Sequence, residues 1–78
     1  MNLDKLKLAF SEALDIQLDI VTDELQYNLM KEWDSIAHMA LIAEIEQAFD
    51  ILIDTDDVID MSSFAKARDI VVKYGVEL

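Results

Sequence analysis

From Ile36 to Phe49 the chain reads I-A-H-M-A-L-I-A-E-I-E-Q-A-F, without glycine or proline and with ten of fourteen residues apolar. Strong helix formers run throughout. The four polar residues, His38, Glu44, Glu46 and Gln47, do not gather on one face. A helix apolar nearly all round is expected at the centre of a fold, covered by neighbours on several sides. Asp34 and Ser35 open the segment, and both belong to the residue types that begin helices. A central helix from Ser35 to Phe49 is therefore expected. Its first residues meet unpaired backbone N–H groups and the positive end of the helix dipole. That setting suits a phosphate ester on the serine oxygen.

The flanking segments supply the rest of an all-α bundle. Leu3, Leu6, Phe10 and Leu14 recur at helical spacing, which predicts an amphipathic helix over residues 2–14. Asp15 to Asp34 breaks that period and reads as a long loop. A structureless stretch of this length is unusual in a compact domain. It is expected to contain a helical turn around Asp23–Asn28, or to be pinned by Ile16, Leu18, Leu25, Tyr27 and Leu29. Ile51 to Ile53 is strand-like but has no second strand to pair with. Thr55 reads as the N-cap of a brief helical turn at Asp56–Met61, with Asp56 and Asp57 favourably placed at the dipole. Ser62 or Ser63 caps a last helix whose buried stripe is Phe64, Ala67, Ile70, Val71 and Tyr74. Gly75, the only glycine, falls where a C′ residue belongs. The expected architecture is a small four-helix bundle of three main helices plus a short third one, forming a single domain over residues 1–78.

Charge narrows the partners. Seventeen acidic residues against six basic ones leave a net charge of −11, which argues against nucleic acid and anionic membranes. It favours partners with basic patches, recruited over distance and weakened by salt. No run of residues is long enough for a membrane span, and the N-terminus lacks a signal peptide's apolar region. The expected location is the cytoplasm, or an organelle lumen reached by a peptide already removed. There is no cysteine, so any thiol this protein uses must be borrowed.

The other candidate chemistry is thin. Ser35 and His38 can touch across one helical turn, but no third group is evident to orient the imidazole, and triad members usually come from separated parts of a fold. His38 reads as a partly exposed helix residue. Asp54-Thr55-Asp56-Asp57 fails as a calcium loop, because the sixth position is Ile59 and the twelfth is Ala65 where glycine and glutamate are needed. No structural metal site is expected. Met61 reads as core, while Met39 suits either the core or a recognition surface.

Taken together, the pieces resemble the acyl carrier protein family, with its related peptidyl and aminoacyl carrier domains. The likeness spans essentially the whole chain: an amphipathic first helix, a long loop, then Asp34-Ser35-Ile36 where the family has Asp-Ser-Leu. A central helix ending Glu46-Gln47-Ala48-Phe49-Asp50 follows, then Ile53, an acidic turn and a short third helix. The resemblance implies that Ser35 carries 4′-phosphopantetheine, transferred from coenzyme A by a phosphopantetheinyl transferase that recognises Asp34. It implies a monomeric, non-catalytic carrier, loaded by an acyl or aminoacyl ligase or transferase with a basic docking patch. Ile36, Met39 and Glu46 would belong to the docking face. Ile45, Phe49, Ile53, Val58, Met61 and Ala67 match the positions between which the family can shelter an acyl chain, and a small bundle needs them as core residues in any case.

The departures are specific. Ala37 and Ala40 stand where fatty-acid carriers usually have acids, Gln47 replaces another, and Glu44 is an extra charge. Glu32 stands in place of the family's glycine before the Asp-Ser pair, followed by Trp33, which would bring a large ring beside the arm or pack on the loop. These changes suggest a specialised stand-alone carrier. The alternatives are an aminoacyl or peptidyl carrier, or an unmodified acidic helical adaptor in which Ser35 is only a cap.

Overall fold

The computed structural model describes residues 2–27 and 29–78. Four α-helices form the bundle: α1 (Asn2–Leu14), α2 (Ser35–Phe49), α3 (Thr55–Asp60) and α4 (Phe64–Lys73). A 3₁₀ turn at Leu18–Ile20 interrupts the long connection between α1 and α2. The only sheet-like pairing among the described residues is one antiparallel bridge, Gln26 with Ser63. No described helix is long and apolar enough to cross a membrane.

Helix ends follow local chemistry. Ser63, not Ser62, caps α4, its hydroxyl accepting from the Lys66 amide at 3.0 Å. At the other end Gly75 takes φ +94°. Its amide donates to Val72 at 2.9 Å and the Val76 amide donates to Val71 at 3.0 Å, a doubly bonded close that requires a left-handed residue. Helices α1 and α2 are instead followed by aspartates in the left-handed region, Asp15 at φ 56° and Asp50 at φ 54°. Asp residues enter this region more readily than most others because a short polar side chain can bond locally. The α3 boundary differs from the expectation by one residue. Asp54 occupies the N-cap position without a side-chain cap bond, and Thr55 is already helical.

Leu6, Phe10 and Leu14 of α1, Leu41 and Ile45 of α2, and Phe64, Ala67, Ile70 and Val71 of α4 meet in one buried core. The long connection is fastened differently from the sequence expectation. Leu25 is buried, and Ile16 and Tyr27 pack half-buried, but Leu18 and Leu29 are exposed. Val21 and Trp33 are the anchors instead. The helical turn expected at 23–28 is replaced by the 3₁₀ turn upstream, and Asn28 lies outside the described residues. Main-chain bonds then tie the loop to the start of α4: Tyr27 N donates to Ser62 O at 2.9 Å and Phe64 N to Leu25 O at 3.0 Å. Arg68 of α4 pairs with Asp23 of the loop at 3.0 Å.

Helix α2 corrects a second expectation. Only Leu41, Ile42 and Ile45 are buried. Ile36, Met39, Ala40, Ala43 and Gln47 face outward and exposed, with Ile36 at 81% and Met39 at 60% accessible. Its nearly uniform apolar character does not reflect neighbours on every side. One apolar face is left uncovered.

Candidate functional site at the start of helix α2

Asp34 enters α2 with extended backbone, and its Oδ1 accepts the Ala37 amide at 2.8 Å. Asp34 is thus the cap, and Ser35 is the first helical residue. This assigns the cap differently from the sequence alternative that makes Ser35 the capping residue. The Ser35 hydroxyl takes part in no hydrogen bond among the described residues, and the residue is exposed. It therefore has no structural task. The Ser35 and Ile36 amides, at the open end of the helix, have no partner within α2.

One turn further on, His38 is held at both ring nitrogens. Trp33 Nε1 donates to its Nδ1 at 2.9 Å, and its Nε2 lies 2.7 Å from the carbonyl oxygen of Val58. The imidazole thus lacks a free nitrogen to take a proton from Ser35. The orienting groups not evident in the sequence are the indole and a carbonyl of α3, and they hold the ring away from a catalytic role toward the serine.

Trp33 itself does not lie beside the serine on the surface. It has no exposed area and sits edge-on to Phe10 (centroids 5.4 Å, planes at 90°) and Tyr27 (5.9 Å, 88°), with His38 stacked on it at 6.0 Å. Edge-to-face packing of this kind adds to the area burial of each ring. The residue before the Asp-Ser pair is a core residue.

The docking candidates divide. Ile36 and Met39 are both exposed, which places Met39 outside the core, and Ala40 and Ala43 join them. Glu46 lies two turns beyond Met39 on the same line. It is half-buried, and its Oε2 accepts the Ile53 amide at 2.9 Å, so it braces the 50–54 connection as well as carrying charge. Sequence reasoning missed Ala40, Ala43 and Ile59, the last 73% exposed on α3. The all-round apolar pattern of α2 was the available signal.

The six residues read as a possible acyl shelter divide between the core and a cavity wall. Ile45 and Ala67 have no exposed area and belong to the core, while Phe49 and Ile53 pack half-buried against it. Val58 and Met61 do line a cavity of about 230 Å³, with Tyr27, His38, Ile59 and Ser62. It opens between α2, α3 and the loop, starting one helical turn from Ser35. Comparison of the chain with family models, curated proteins and solved structures gives no match.

Proposed function

We propose that this chain is a carrier protein, with Ser35 esterified by 4′-phosphopantetheine and cargo held as a thioester on that arm. The observation that carries the reading is an exposed serine hydroxyl, free of any structural bond, at the first position of a helix capped by its neighbour. A phosphodiester there meets the open amides of Ser35 and Ile36 and the positive end of the α2 dipole. Asp34 orders those amides by capping Ala37, and the same residue is the proposed recognition point for the transferase. The arm supplies the thiol that a chain without cysteine lacks, and it presents cargo to each enzyme at high effective concentration.

In this reading the protein has no turnover of its own. It is a cytoplasmic monomer, the substrate of a phosphopantetheinyl transferase and of an acyl or aminoacyl ligase or transferase. Ile36, Met39, Ala40 and Ala43 give the docking face an apolar centre, and Asp34 and Glu46 give it an acidic edge for a basic patch on the partner. The apolar centre in place of helix acids favours a specialised carrier. An aminoacyl cargo is the second reading within the same chemistry, and a panel of ligases tested for which acid they load onto the free thiol of the arm separates it from an acyl cargo.

The test is intact mass after incubation with coenzyme A and a broad-specificity transferase. One phosphopantetheine is expected on the unmodified protein and none on Ser35→Ala. No mass gain with several transferases, on protein shown to be folded, overturns the carrier and leaves an unmodified acidic adaptor.

A further inference from the structure

The chain contains one histidine and one tryptophan, and the two are bonded to each other. An indole N–H can only donate, so His38 Nδ1 must offer a lone pair. A carbonyl oxygen can only accept, so Nε2, facing Val58, must hold the proton. Together the two bonds admit a single state of the ring, neutral with its proton on Nε2. A proton placed on Nδ1 would face the Trp33 N–H, donor against donor. The indole is wholly buried, so its N–H has no water to turn to, and a buried donor without a partner is unfavourable.

This short relay spans three parts of the fold. Trp33 ends the long connection, His38 belongs to α2, and Val58 belongs to α3. His38 and Val58 also form part of the wall of the cavity one turn from Ser35. The Gln26–Ser63 bridge, the main-chain bonds to α4 and the Arg68–Asp23 pair fasten the loop upstream. Between 29 and 34 Trp33 is the one wholly buried residue, with Met30 half-buried against the core.

We propose that Trp33–His38–Val58 is a proton-operated latch: the neutral imidazole ties the loop and α3 to α2, and a proton on Nδ1 releases Trp33 and opens the cavity wall beside Ser35. The groups around the ring leave this response to His38. From the loop, Tyr27 meets it edge-on at 5.7 Å. On α2, Asp34 lies one turn before it with Oδ1 bonded to the Ala37 amide. On α3, Asp57 stands next to Val58 but is bonded to Lys73 and Tyr74. The connection to α4 contributes Met61 and Ser62. Among the described residues the ion pairs are Arg68–Asp23 and Lys73–Asp57, so no carboxylate pairs with the ring to hold it charged.

The latch is closed while the ring is neutral with its proton on Nε2, and it is lost when Nδ1 gains a proton. Histidine is the side chain whose ordinary charge change falls between pH 5 and 8, above the carboxylates. The latch does not depend on what Ser35 carries; only its meaning for cargo rests on the carrier reading.

The experiment uses the unmodified protein between pH 7.5 and 5. The His38 ring resonance reports protonation, the Trp33 indole N–H resonance and fluorescence report release, and far-ultraviolet circular dichroism reports helix content. The indole signals are expected to shift with the same midpoint as the His38 ring while helix content holds. His38→Gln, whose amide still accepts and donates but takes no proton, is expected to give indole signals that stay constant across the range. A ring that becomes protonated with the indole unmoved overturns the proposal, as does a ring that stays neutral down to pH 5. Indole signals that still shift with pH in folded His38→Gln also overturn it. Should that variant fail to fold, the unmodified chain alone decides, because each resonance comes from a single residue.

Discussion

Helix α3 is fastened on two sides by two kinds of bond. Toward α4 the fastening is ionic. Asp57, buried, accepts from Lys73 Nζ at 2.5 Å and from the Tyr74 hydroxyl at 2.6 Å, and that hydroxyl accepts the Asp54 amide at 2.9 Å. Toward α2 the fastening is neutral, an imidazole N–H on the Val58 carbonyl. The helix has six residues and no fully buried apolar side chain, too short to persist without such support. The hydrogen bond from Lys73, then that from Tyr74, holds the Asp57 carboxyl below the usual aspartate range. The same bond to Asp57 raises Lys73 above the usual lysine range. A lowered aspartate contributes stability above its ordinary range, lost as the pH falls through the lowered value. A raised lysine contributes below its ordinary range, lost as the pH rises through the raised value. The ionic side is therefore intact across neutral and mildly acidic pH, whereas the proposed latch on the other side depends on the ring of His38 staying neutral. One side of α3 behaves as a hinge and the other as a catch.

The largest effect on this contrast is expected from Trp33→Ala. It removes the donor to His38 and the centre of the aromatic cluster, and the loss of a buried tryptophan is about 3–5 kcal/mol, measured by urea unfolding. A loss near zero would show that the catch is not built on the core. Asp57→Asn comes next and acts on the hinge. The unmodified protein should lose thermal stability as the pH drops below the ordinary aspartate range, whereas the variant starts lower and has a flatter acid limb. Matching acid limbs would move the acid response to other carboxylates. The smallest effect is expected from Ser63→Ala, which removes the α4 cap at about 1 kcal/mol. It should lower the unfolding midpoint while leaving the pH response of Trp33 untouched, since it lies on the anchored side.

Much of this fold is legible in the sequence because its boundaries are local. Asp34, Ser63 and Gly75 each act on amides or carbonyls within a few residues, and the spacing of Leu6, Phe10 and Leu14 reports one helix face directly. What escaped reading depends on partners distant in sequence or on orientation in space. Trp33 and His38 are only five residues apart, yet whether the indole turns inward is decided by Phe10 and Tyr27. Val58 completes the pair from twenty residues away. Apolar content on every side of α2 does not reveal which side is left uncovered, because that is set by how few helices surround it. The proposed shelter residues rest on positions matched through the resemblance, and a cavity is a property of the space between side chains. Ser35 stood out through its position, but its freedom from structural duty emerged only when Asp34 was seen to do the capping.

The aspartates at the helix ends give the acidity of this chain a second meaning. Asp15 and Asp50 follow helices in the left-handed region where glycine would serve, Asp34 opens one, and Asp57 joins two. Part of the chain's negative charge is therefore punctuation. Replacing these aspartates to bring the chain toward neutrality would blur where its helices start and stop, whatever else the charge does.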